Sequence, residues 1–293
     1  MQFLTYIIFR LALGLFKIMP FRLLYALSDV LSWLFYHLIQ YRKKVILTNL
    51  KRAFPGKKDQ EIRLIARKTY TNLTDILLES LKGFSVREEK LIKRYKILNP
   101  EFLDRYFEKN QSIIGVTGHY ANWEWGALAG SAQMKHKPIA FYKPLSNSYI
   151  DQYIKSSRAE SGTLLYSIRQ TSETFSKHKH ENCIFLMVAD QSPSDSKKAY
   201  WIDFLNQDTA CLHGPEKHAR INNYPVIYLD IQRIKRGYYT VQFSQLIENP
   251  AEETDGLITE KYMRQLEQII REKPENWMWS HKRWKKKRNP KKE

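Results

Sequence analysis

The chain has 293 residues, with 48 Lys and Arg against 30 Asp and Glu, which gives a formal net charge of +18. Hydrophobic residues make up 43%, enough apolar material to offset ordering entropy, so a disordered chain is excluded. Mean hydropathy is -0.52 and no uncharged apolar run of ~20 residues occurs, so a multi-span membrane protein is excluded as well.

The charge excess calls for an acidic partner: nucleic acid, an anionic membrane surface, or an acidic protein. Its placement narrows the choice. Residues 1–60 hold ten Lys and Arg against two Asp, and residues 281–293 hold eight against one Glu. Two cysteines, Cys183 and Cys211, do not make a disulfide framework and read as free thiols. His178 with His180, and His213 with His218, lack Cys or carboxylate partners at zinc-ligand spacing, so no metal site is expected.

Residues 3–19, FLTYIIFRLALGLFKIM, are apolar around most of a helix, and Arg10 and Lys17 share one stripe. Pro20 interrupts, and a second apolar stretch covers 21–41 before the basic flank Arg42-Lys43-Lys44. Charges inside the apolar run, with no small-residue cleavage site after it, argue against a cleaved signal peptide. The sequence therefore predicts a membrane anchor over 1–41, either one span or an interfacial hairpin. Asp29 and His37 weigh against a span at 21–41. The alternative is a buried helical hairpin.

Residues 59–83 carry helical periodicity through Ile62, Ile65, Ala66, Tyr70, Leu73, Ile76, Leu77 and Leu81. Strands are predicted at 112–117, 137–142, 163–167 and 183–189, with helices at 120–132, 147–160 and 171–180 between them. Residues 224–231 and 238–246 read as a strand pair, followed by a helix over 255–272. Such alternation predicts an α/β domain over 42–293, with a mixed, largely parallel sheet flanked by helices.

The most informative stretch is 112–126, SIIGVTGHYANWEWG. A strand runs into Gly118 and His119, and a helix begins just after. Catalytic groups favour such strand ends. Five residues apart in one helix, His119 and Glu124 stand ~140° apart and do not meet. They meet if His119 lies in the turn before the helix, with Gly118 supplying the freedom for that turn. A His oriented by a carboxylate is a general base. No G-x-S-x-G elbow occurs, so the pair would activate a substrate hydroxyl, with the helix start stabilising negative charge nearby. The plain alternative is a His closing a strand and a Glu paired on the surface. Trp123 and Trp125 are either walls of a substrate channel or core.

Several stretches carry a resemblance. His119, Asn122, Trp123 and Glu124 match an H-x-x-N-W-E block, the H-x4-E form of the H-x4-D/E acyltransferase motif. Arg42–Pro55, Arg158 in SSRAESG, Asp190-Gln191 after a buried strand, and the tail Pro274–Lys286, PENWMWSHKRWKK, agree in order and spacing. Together they resemble the late acyltransferase family of lipid A biosynthesis, the lauroyl/myristoyl type, over almost the whole chain. The resemblance implies a glycerol-3-phosphate-acyltransferase-like fold. It also implies transfer of a fatty acyl chain from acyl carrier protein to a lipid A precursor at the cytoplasmic side of the bacterial inner membrane. It makes His119 the base and Glu124 its orienting partner, and Asn122, Arg158, Asp190 and Gln191 candidates for substrate binding. It calls for no cofactor and no metal. Asp203-Phe204-Leu205-Asn206 stands where the family often has F-F-G, which is a departure on the acceptor side. Two further readings stay open: an acyltransferase moving an acyl group from acyl-CoA to a lysophospholipid or glycosylated phospholipid, and a non-catalytic basic protein binding membrane or nucleic acid. The apolar N-terminus disfavours nucleic acid, and the tail holds no nucleic-acid-binding signature.

Overall fold

Continuous apolar runs build the centre of the sheet, because a strand covered on both faces has no polar side to show. The computed structural model describes residues 1–195 and 199–288. Residues 196–198 and residues 289–293, the end of the basic tail, lie outside the described residues.

The chain opens with α1 (Gln2–Ile18) and α2 (Phe21–His37), followed by α3 (Lys43–Ala53), α4 (Asp59–Gly83) and α5 (Glu88–Ile92). Next come β1 (Tyr95–Ile97), α6 (Asp104–Phe107), β2 (Ile113–Thr117), α7 (Trp123–Ala129) and β3 (Lys137–Tyr142). Then follow α8 (Ser148–Glu160), β4 (Leu164–Ser167), α9 (Thr171–Lys177) and β5 (Cys183–Val188). The last third holds β6 (Tyr200–Phe204), β7 (Gln207–Cys211), α10 (Gly214–Asn222), β8 (Val226–Lys235), β9 (Tyr238–Ile247) and α11 (Leu257–Glu272).

Among the described residues, seven strands form one sheet in the order β1-β9-β8-β2-β5-β3-β4. Only the β8–β9 hairpin is antiparallel; the other neighbours are parallel. The fold is thus the expected largely parallel, mixed sheet flanked by helices. Register matters most between β2 and β5, where Thr117 stands opposite Val188. The next residues of both strands therefore emerge side by side at the C-terminal end of two central strands.

A second, two-stranded sheet pairs β6 with β7, an element that is not among the predicted strands. Its two-residue turn, Leu205-Asn206, has φ of 52° and 60°, the left-handed geometry that suits a tight hairpin. Asn tolerates that region. Leu205 is held there by full burial and by its N–H on Glu267 Oε1 at 3.2 Å. The departure from F-F-G is thus a turn made without glycine.

The N-terminal pair does not stand apart from the body. Phe16 and Leu24 pack with Leu78 of α4, and Leu13 is buried as well. Ser28 Oγ bonds Asp75 Oδ1 at 2.6 Å, and Arg236 bridges Asp29 and Asp75. Residue 41 is therefore no break in packing. Among the described residues, no helix is long and apolar enough to cross a membrane. The 17 residues of α1 rise about 25 Å, short of the ~30 Å hydrocarbon core. The single-span option is not supported. What α1 does show is an apolar face open to solvent, with Phe3, Leu4, Ile7, Ile8, Leu11 and Leu15 exposed.

Candidate active site

The β2–β5 register brings two distant residues together. Two positions past Thr117 is His119, and two past Val188 is Asp190. His119 Nδ1 and Asp190 Oδ1 lie 2.5 Å apart. Asp190 is almost fully buried, whereas the His119 side chain is 17% exposed and so reachable. Burial by itself pushes the Asp190 carboxyl up. The His119 imidazole and the N–H of Trp277, which donates to Oδ2 at 2.7 Å, outweigh it and hold the carboxyl at about 2. Asp190 is thus a fixed carboxylate.

With its Nδ1 facing a carboxylate, neutral His119 carries its proton there and leaves Nε2 as an acceptor. Gln191 Nε2 sits 3.0 Å from that atom, in the place a substrate hydroxyl would take. The ring of Trp123 meets the imidazole edge-on at 4.9 Å.

Glu124 goes elsewhere. Its Oε2 accepts from Arg158 Nη2 at 3.2 Å, and its side chain is 41% exposed. Among the described residues, the carboxylate hydrogen-bonded to His119 is Asp190, not Glu124. Strand register, and not nearness in sequence, sets this contact. Arg158 is buried at the end of α8, with its guanidinium 4.8 Å over the Phe84 ring. Its Nη1 has no protein partner, so a buried donor remains for an anionic or carbonyl oxygen.

Asn122 is the N-cap of α7. Its Oδ1 accepts from Trp125 N at 3.0 Å and its Nδ2 donates to Glu79 Oε2 at 2.7 Å. It is fully buried, which makes it a framing residue more than a ligand. Trp125 is core: wholly buried, with its indole N–H on the Glu79 carbonyl at 2.8 Å. The turn between β2 and α7 also differs from expectation. The left-handed residue is Ala121, with φ of 51°, and not Gly118. Gly118 serves close approach instead, since a Cβ there would lie 2.7 Å from Leu266 Cδ1.

The Trp-rich tail closes over this corner. Met278 N donates to His119 O at 3.1 Å and Ala121 N to Asn276 O at 2.9 Å. Ser192 N donates to His281 Nε2 at 3.2 Å, and burial pushes the His281 imidazole down to about 4, so it stays a neutral acceptor. Trp277 and His281 were visible in the sequence as parts of the tail motif, but no spacing tied them to Asp190 and Ser192.

The two histidine groups without expected partners do have them. His178, Glu181 and Cys183 come together, as do His213, Glu216 and Asp255. Both ring nitrogens of His178 are already engaged, by Glu181 and Tyr166, and Glu216 accepts from Thr259 and Gly256 at the start of α11. These contacts close strand and helix ends.

The family model for bacterial lipid A biosynthesis acyltransferases matches residues 2–286, nearly the whole chain. No curated protein matches the chain.

Proposed function

The chain belongs to the bacterial lipid A biosynthesis acyltransferase family and is an acyltransferase; from that premise we propose that it moves a fatty acyl chain from an acyl carrier protein thioester to a hydroxyl of a lipid A precursor. The observation that carries this is His119 with its Nδ1 on the Asp190 carboxylate and its Nε2 facing the Gln191 amide, at the partly exposed side of the ring.

In the proposed step the acceptor hydroxyl displaces the Gln191 amide from Nε2. His119 takes the hydroxyl proton as the oxygen attacks the thioester carbonyl. Asp190 stays ionised and stabilises the imidazolium that forms. The tetrahedral intermediate collapses, the C–S bond breaks, and the phosphopantetheine thiol leaves with the proton from His119. Arg158, with its unpaired Nη1, supplies positive charge for the developing oxyanion or a substrate phosphate. Glu124 keeps that guanidinium aimed.

The apolar face of α1, with Arg10 and Lys17 on the same helix, supports an interfacial seat on an anionic bilayer. The cytoplasmic face of the inner membrane is the side that acyl carrier protein can reach. The basic surface also suits that acidic carrier.

Purified full-length protein, lipid A precursor and acyl carrier protein thioester test the proposal, with mass spectrometry of the lipid. An acyl-sized mass step on the precursor is expected. Transfer only from acyl-CoA to a lysophospholipid would overturn the donor and acceptor together.

A further inference from the structure

The buried carboxylate of Glu79 has no place in that chemistry, yet three elements meet on it. Its side chain is fully buried in α4. Oε1 accepts from the Tyr25 hydroxyl of α2 at 2.8 Å. Oε2 accepts from the Tyr239 hydroxyl of β9 and from Asn122 Nδ2, both at 2.7 Å. Each carboxylate oxygen thus faces only donors, the arrangement that a buried acidic side chain needs.

Asn122 joins this cluster to the site. It caps α7, and the two residues after it are Trp123, against the His119 ring, and Glu124, on Arg158. Asp would cap a helix equally well. It has no donor, however, and would set a second carboxylate against Glu79. The α4–α7 contact is also tight one turn further on. A Cβ at Gly83 would lie 2.7 Å from Leu128 Cδ1. The start of α7 therefore has a single seat.

We propose that Glu79 is a positioning residue for acyl transfer: through Asn122 it fixes the first turn of α7, and so sets where Trp123 stands against His119 and where Glu124 meets Arg158. The reaction it serves is the one proposed above. A displacement of the order of 1 Å at such a site costs about 100-fold in rate.

Full-length Glu79→Leu, Glu79→Gln, Asn122→Asp and the double variant Asn122→Asp/Glu79→Gln test this by acyl-transfer kinetics and by hydrogen exchange of the Trp125 amide. Glu79→Leu removes the acceptor, and kcat is expected to fall about 100-fold with KM within about threefold. Glu79→Gln still offers a carbonyl to Asn122 and an amide to Tyr25, and stays within about fivefold of wild type. Asn122→Asp falls about as far as Glu79→Leu, and adding Glu79→Gln restores about tenfold or more, because the Gln amide donates to the new carboxylate. Wild-type kcat in Glu79→Leu, or a double variant no faster than Asn122→Asp, overturns the proposal. If Glu79→Leu does not fold, the Asn122→Asp pair decides. If wild type transfers no acyl chain, the proposed reaction fails, and exchange alone judges Glu79. Faster Trp125 exchange in Asn122→Asp, reversed in the double variant, supports positioning; unchanged exchange overturns it.

Discussion

Asp190→Asn is the sharpest probe of the site, because Trp277 dictates how the new amide must sit. The indole N–H only donates, and it lies 2.7 Å from Asp190 Oδ2. The substituted side chain therefore turns its amide oxygen to Trp277 and its NH2 to His119 Nδ1. That forces the imidazole proton onto Nε2, the wrong tautomer for a base. The expected loss in kcat is about 10³ to 10⁴, or about 4 to 5 kcal/mol of transition-state stabilisation. The companion Asp190→Asn/Trp277→Phe removes the indole donor, frees the amide to flip, and should recover about tenfold. Stability gives a second readout. The folded carboxyl sits at about 2 against an ordinary 3.8, so wild type gains about 2 kcal/mol above pH 4. That gain is lost as pH falls from about 4 to about 2, and the Asn variant lacks it. Acyl transfer followed by mass spectrometry, with urea unfolding at pH 3 and pH 7, measures both. Full activity in Asp190→Asn would refute the tautomer argument and return the orienting role to Glu124.

Glu124→Ala should abolish transfer and lower thermal stability, because it strands the buried Arg158 charge; a variant of wild-type rate would remove Glu124 from the mechanism. Burial lifts Glu79 to about 7 against the Tyr239 and Tyr25 hydrogen bonds, with Asp75 adding to the lift and Arg233 opposing it. Its folded value lies above 4.5, so about 3 kcal/mol of stability present below pH 4.5 is lost as pH rises through about 7. Urea unfolding at pH 5 and pH 8 should show this slope in wild type and not in Glu79→Gln. Removing residues 1–19 should weaken binding to anionic vesicles and leave the body folded, read by sedimentation and circular dichroism. Removing 1–41 should also unfold it, since Leu24 and Ser28 are fully buried in the body; an unchanged melting temperature would refute that packing argument.

Much of the architecture was legible along the chain. The strands at 113–117, 137–142 and 183–188 and the helices at 59–83 and 148–160 appear within a residue or two of their predicted bounds. Their apolar runs are continuous or helically spaced, and local pattern suffices for such elements. The β6–β7 hairpin was not legible. Its turn, Leu205-Asn206, holds neither Gly nor Pro, and only the burial of Leu205 and its bond to Glu267 keep it left-handed. The first two helices were visible as helices, but not how α2 seats on α4, because Ser28 and Asp29 find their partners more than forty residues away.

The sequence by itself placed His119 just past the end of a strand, and it offered Glu124, close along the chain, as a carboxylate partner. Only the tertiary structure shows which carboxylate hydrogen-bonds it. Parallel pairing of β2 with β5 carries Asp190 across 71 residues of chain to His119, while α8 brings Arg158 to claim Glu124. Spacing in sequence governs contacts within a helix or turn. Between strands, register governs them, and register is set by the whole sheet.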